Sequence, residues 1–137
     1  MSFIKEKVHE YYYEHDYNCA RTTMLVLSEL FDIKIEKQTW NAAIGLFGGG
    51  GFRGQCGLVE GGLMFIGILF RDKGYSEEKI VSLCYHYSKE FQEKFGSLRC
   101  LKLRPGGFRD DDPPHLCENL SCSTIEFTYN YVLKNLE

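Results

Sequence analysis

The chain has 137 residues, enough for one domain with its own core and no disulfide staples. Sixteen Lys and Arg against nineteen Asp and Glu give a formal net charge of −3, spread without a basic block or stripe, which sets nucleic-acid binding aside. The first residues are too charged for a signal peptide, and the most apolar stretch, 61–70, is far shorter than the roughly 20 residues of a membrane span, so a cytoplasmic setting without membrane contact is expected, where thiols, metal ligands or transient redox pairs are favoured over permanent disulfides.

Residues 3–15 carry Ile4, Val8, Tyr11, Tyr12 and His15 at the spacing of one helix face. Asn18 predicts an N-cap for a second helix, Cys19 to about Phe31, with Met24, Leu27, Leu30 and Phe31 on its apolar side. A short third helix is predicted over 39–46, with Trp40 and Ile44 inward. It stops at 48–51, since four consecutive glycines cannot sustain a helix. A fourth helix, Cys56 to about Lys73, contains Gly57, Gly61, Gly62 and Gly67, each costing up to ~1 kcal/mol against alanine. That loss needs an offset: close approach of another backbone or a cofactor, with tight helix packing as the ordinary account.

Ser76 predicts the cap of a fifth helix, with Glu77 and Glu78 in its first turn. Its stripe is Ile80, Leu83, Cys84, Tyr87, Phe91 and Phe95, and Gly96 is its terminator. A helical turn after Ser97 precedes a long loop over 104–115, which holds all three prolines and the run 110–112 of aspartates, a solvated charge run. The last helix runs from about Leu116 to Leu136, with Leu120, Thr124, Phe127, Tyr131 and Leu133 toward the core. No strand-like alternation and no internal repeat is present. The predicted fold is all-α: a single domain over 1–137, a compact bundle of five to seven helices with a Gly-rich loop before a central Gly-rich helix.

Cys19, Cys56 and Cys117 fall at predicted helix starts, and Cys100 does so if the Ser97 turn forms. Helix starts present unpaired N–H groups and partial positive charge, which favour thiolate, the nucleophilic and metal-binding form. Cys56 is the foremost candidate. The glycines at 48, Gly49, Gly50, Gly51, Gly54 and Gly57 clear side chains from around it. Such a loop lets backbone N–H groups converge on an anion, and Arg53 adds charge. A plain connecting loop with a buried cysteine is the alternative.

Cys84 sits on the apolar stripe and reads as core. Cys122, five residues past Cys117, points to another face and is held in reserve. Glu60 shares a helix face with Cys56 and would hold or deliver a proton there, although first-turn acids are common for helix-dipole reasons alone. His115 reads as a solvent-exposed loop residue, or else as a ligand or proton donor; His86 reads as structural, and His9 and His15 carry no signal. The glycine run lacks the Lys and Ser/Thr of a P-loop and follows no predicted strand. No C-x-x-C is present, which argues against a thioredoxin-type site, a zinc ribbon and covalently attached haem.

Together, Asn18-Cys19-Ala20, the stretch from Gly48 to Gly57, Gly61-Gly62-Leu63-Met64, Phe95-Gly96-Ser97-Leu98-Arg99-Cys100 and Cys117-Glu118-Asn119-Leu120 resemble the C_GCAxxG_C_C family over most of the chain. The family element reads Cys56-Gly57-Leu58-Val59-Glu60-Gly61 here, with Leu58 in place of the small alanine. The resemblance maps the four family cysteines onto Cys19, Cys56, Cys100 and Cys117. The family is named redox-active for its cysteines. It is also similar to the non-haem domain of split-Soret cytochromes, where a cysteine-bound iron–sulfur cluster has been suggested; haem is not carried over.

Three functions follow in order. In the first, Cys19, Cys56, Cys100 and Cys117 converge as thiolate ligands of an iron–sulfur cluster or a single soft metal ion, with glycines around Cys56 tuning it. In the second, a metal-free thiol–disulfide protein uses Cys56 as nucleophile. In the third, the glycine loop and the 104–115 loop frame a pocket for a small ligand or partner. The class implied is an oxidoreductase or an electron-transfer accessory protein with an unidentified redox partner, and the glycine-rich helix would suit a homodimer.

Overall fold

The computed structural model describes residues 1–137 as eight helical segments and no strand: α1 Ser2–Tyr13, α2 Cys19–Phe31, α3 Lys37–Ala42, α4 Gly48–Gly51, α5 Gly57–Asp72, α6 Glu77–Phe95, α7 Cys100–Leu103 and α8 Glu118–Asn135. The count exceeds five to seven because α4 and α7 are single turns of four residues. The strongest local signals set the ends. Asn18 accepts the Arg21 N–H at 3.0 Å, Ser76 accepts the Lys79 N–H at 3.1 Å, and Gly96 closes α6 at φ +91°. No helix is long and apolar enough to cross a membrane.

Helix α5 is the hub, packing on α2, α6 and α8, while α1 packs on α2 and α8. Phe65, Ile66, Leu69 and Phe70 anchor it in a single core cluster of 21 buried residues. Each such side chain contributes about 1.5–3 kcal/mol when buried. The α5 glycines have distinct roles. A methyl on Gly61 would lie 2.6 Å from the Ala20 carbonyl oxygen, and one on Gly62 would collide with the Tyr87 hydroxyl. Tight helix packing thus offsets the propensity loss at these two positions. Gly67 meets nothing within 4 Å.

Several inward assignments shift by one residue. Because α3 ends at Ala42, Ile44 turns outward, 52% exposed, and Ala43 is buried in its place. Leu133 is exposed and Val132 takes the core position. His15 lies beyond the end of α1, exposed, stacked on Tyr17 at 5.1 Å. The predicted helix over 39–46 is instead Lys37–Ala42, so it stops before the glycine run is reached, and the run makes a turn of its own: all four residues have φ between +61° and +79°, a left-handed path open to residues without Cβ.

Candidate functional site

Cys19 opens α2, Cys56 precedes α5, Cys100 opens α7 and Cys117 precedes α8; all four line one cavity of about 550 Å³. Backbone bonds hold these starts together. The Asn18 amide donates to the Ala43 and Ile44 carbonyls at 2.9 and 2.7 Å, tying the α2 start to the end of α3. The Cys56 N–H donates to Leu98 O at 2.8 Å and the Cys100 N–H to Gly54 O at 2.7 Å, around an antiparallel bridge between Gln55 and Arg99. The Ser121 hydroxyl donates to Cys117 O at 2.8 Å, and Tyr12 donates to the Ser121 oxygen at 2.6 Å. Cys84 and Cys122 lie outside the cavity.

Of the glycines singled out, Gly48 and Gly51 line the cavity. The N–H groups of Gly50, Gly51 and Gly54 donate to Gly45, Phe47 and Gly48 carbonyls, so these three are spent within the loop. Gly49 and Gly50 are exposed, and Gly54 serves the Cys100 backbone. Gly57 makes room instead: a methyl there would collide with the Cys19 sulfur and lie 2.5 Å from Leu46 O. A methyl on Gly48 would lie 3.2 Å from the Cys100 sulfur. Leu58, in the place of the family alanine, is accommodated fully buried in the core.

The expectation that helix starts favour thiolate is reversed by burial. Burial pushes the Cys56 thiol up to about 12, against the pull of the Leu58 and Val59 N–H groups, and the sulfurs of Cys100 and Cys117 raise it further. Cys19 is raised further still, by burial and then by Cys56, Cys100 and Cys117. Cys100 and Cys117 are also raised by burial, but Arg104 holds both down, with Arg53 helping at Cys100. The metal-free chain therefore carries protonated thiols at neutral pH. With its pKa moved from 9.0 to about 12, Cys56 should be alkylated by iodoacetamide at pH 8 at least about tenfold more slowly than a free cysteine, the smaller thiolate fraction outweighing the greater nucleophilicity of a more basic thiolate, and its rate should still be rising with pH at pH 10. Mass spectrometry of timed samples checks this.

Residues that the sequence left aside belong here. His115 is not a solvent-exposed loop residue. Its side chain is 16% exposed, lines the cavity, stacks on Tyr12 at 4.6 Å and bonds Asp16 at 2.9 Å. Asp112 is not part of a freely solvated run; it pairs with Arg104 at 3.2 Å and accepts the Arg109 N–H, which lowers its carboxyl pKa. Glu60 turns toward Gly49, where burial raises its carboxyl pKa, and its Oε1 is buried without a partner. Tyr12, Arg21, Arg104 and Phe108 also line the cavity, and only the packing of distant segments identifies them.

All six cysteines are free thiols, and no three His, Cys, Asp or Glu side chains are gathered at a position for one metal ion. The donor set still suits a thiolate-bound group: four thiols share a cavity wall, and Gly57 and Gly48 leave the space that the Cys19 and Cys100 sulfurs use. No curated protein and no solved structure matches the chain. The family model described as "Putative redox-active protein (C_GCAxxG_C_C)" matches residues 17–131. The chain belongs to the C_GCAxxG_C_C family.

Proposed function

We propose that the protein is an electron carrier holding an iron–sulfur cluster through Cys19, Cys56, Cys100 and Cys117. One observation carries this: four cysteines from four separate helix starts line one cavity, while the other two stay outside it. Four thiolates are the usual ligands of two-iron and four-iron clusters. A cluster spreads its thiolates over separate irons, which suits sulfurs set around a cavity wall. When bound, it supplies one-electron transfer.

The chain contributes the surroundings. Tyr12, His115 and Leu116 wall the cavity beside Cys117. Arg104 and Arg53 favour the ionised form of Cys100, and Arg104 that of Cys117, which lowers the cost of gathering thiolates. Ligation removes the thiol protons that burial otherwise retains.

Protein purified without oxygen, then reconstituted with iron and sulfide, is expected to hold iron and acid-labile sulfide in a fixed ratio and to show visible charge-transfer bands. Cys56→Ser should lose those bands while keeping its helical circular dichroism. A colourless, metal-free protein both before and after reconstitution overturns the proposal. Zinc without sulfide also overturns the cluster.

A further inference from the structure

The cavity holds more than thiols. Three arginines line it, Arg21, Arg53 and Arg104, in a chain whose net charge is −3. The one acid on its wall, Asp16, is bonded to His115 at 2.9 Å. Neither Arg21 nor Arg53 is in any ion pair, whereas Arg104 is held by Asp112.

Aromatic faces hold these guanidiniums in place. Arg21 lies over Tyr17 and Trp40 at 5.2 and 5.0 Å. Arg53 and Arg104 both lie over Phe108, at 4.1 and 4.5 Å. Arg53 stands at φ +67°, a left-handed conformation that costs a non-glycine residue about 1 kcal/mol or more and that recurs where a side chain must be presented to a ligand. A concave, largely apolar wall with a few fixed polar groups is the general form of a small-molecule site. Arg21 spends its Nε–H on the Asn18 oxygen at 3.4 Å and keeps its terminal N–H groups, and a planar guanidinium with N–H groups to spare is the group that recognises carboxylate or phosphate.

We infer that the cysteine cavity binds a small anion with an apolar body, its acid group held by the Arg53 guanidinium, with Arg21 the other guanidinium on the wall outside any ion pair, and its body resting against the aromatic wall. That the anion has a part in electron transfer rests on the redox function proposed above; its binding does not.

The test uses the metal-free full chain, with benzoate and phenyl phosphate as probes and benzamide as the uncharged control. Binding is followed by the emission of Trp40, the only tryptophan, and by the Arg53 side-chain N–H resonance. Both anions are expected to move both signals, with benzamide at least tenfold weaker. Arg53→Gln should weaken benzoate at least tenfold. Arg71→Gln, outside the cavity, should leave its affinity unchanged, and the thermal melts of both variants verify folding. Equal affinity for benzamide and benzoate, or benzoate affinity unchanged in both Arg53→Gln and Arg21→Gln, overturns the inference. Inorganic phosphate binding as tightly as phenyl phosphate overturns the apolar body. Benzoate binding without uptake of iron and sulfide defeats the cluster alone, and cluster uptake without anion binding defeats this inference alone.

Discussion

Gly61→Ala is expected to lower the stability of the folded chain by about 2–3 kcal/mol, while Gly67→Ala, six residues along the same helix, raises it by about 0.5–1 kcal/mol. Both substitutions improve intrinsic helix propensity by the same amount, so the difference isolates packing. At Gly61 the new methyl would lie 2.6 Å from the Ala20 carbonyl oxygen, 2.9 Å from its Cα and 3.0 Å from the Thr23 Cβ. Two of these atoms are backbone, so α2 and α5 must separate to admit it. At Gly67 nothing stands within 4 Å. Urea denaturation of the two variants measures the contrast, which corresponds to a fall of roughly 5–15 °C in melting temperature for the first. Equal and small effects would mean that α2 yields without cost and that the Gly61 contact is not what sets the helix spacing.

That contrast marks what was legible in the sequence. Four glycines in one helix announce close approach somewhere, but not which glycine meets a backbone. Gly57 turns out to clear the Cys19 sulfur, Gly61 the α2 backbone and Gly62 the Tyr87 hydroxyl, while Gly67 clears nothing. Each depends on which element packs where. Features governed by local chemistry came through: the Asn18 and Ser76 caps, the Gly96 stop and the buried stripe of Leu83, Tyr87 and Phe91. Faces near frayed ends did not, because ending α3 at Ala42 turns Ile44 out and Ala43 in.

The cavity shows the same division. The cysteines were identifiable as helix-start residues, yet the helix-start argument about their ionisation failed, because desolvation depends on the whole fold and outweighs two N–H groups at Cys56. His115 sits in a proline-rich segment that looks solvated in sequence. Tyr12, over one hundred positions away, covers its ring. Arg21 gave no signal, since its place on the cavity wall comes from Tyr17 and Trp40 folding against it.

Raising the pH above 10 is expected to destabilise the chain steeply, and Tyr87→Phe to flatten that dependence. Burial raises the Tyr87 phenol well above its ordinary value of 10.0, only partly offset by its bond to Thr128. The Thr128 hydroxyl donates to Thr124 O at 2.8 Å, so Tyr87 must be the donor in its 2.7 Å bond to the Thr128 oxygen. Ionisation would remove that proton inside the core. The unfolded chain releases it from about pH 10, whereas the folded chain retains it. Stability from this group is therefore complete below pH 10 and is lost as the pH rises toward the folded value, at about 1.4 kcal/mol per pH unit. Tyr12 and Tyr131, also raised by burial, add slopes of the same sign. At neutral pH, Tyr87→Phe should cost about 1–2 kcal/mol for the lost bond. Above pH 10 the wild-type chain loses that margin, so the two stability curves should cross about one unit higher, near pH 11. Urea titrations between pH 7 and 11 read both effects. Parallel curves would show that the Tyr87 hydroxyl reaches water and ionises in the folded state as readily as in the unfolded one.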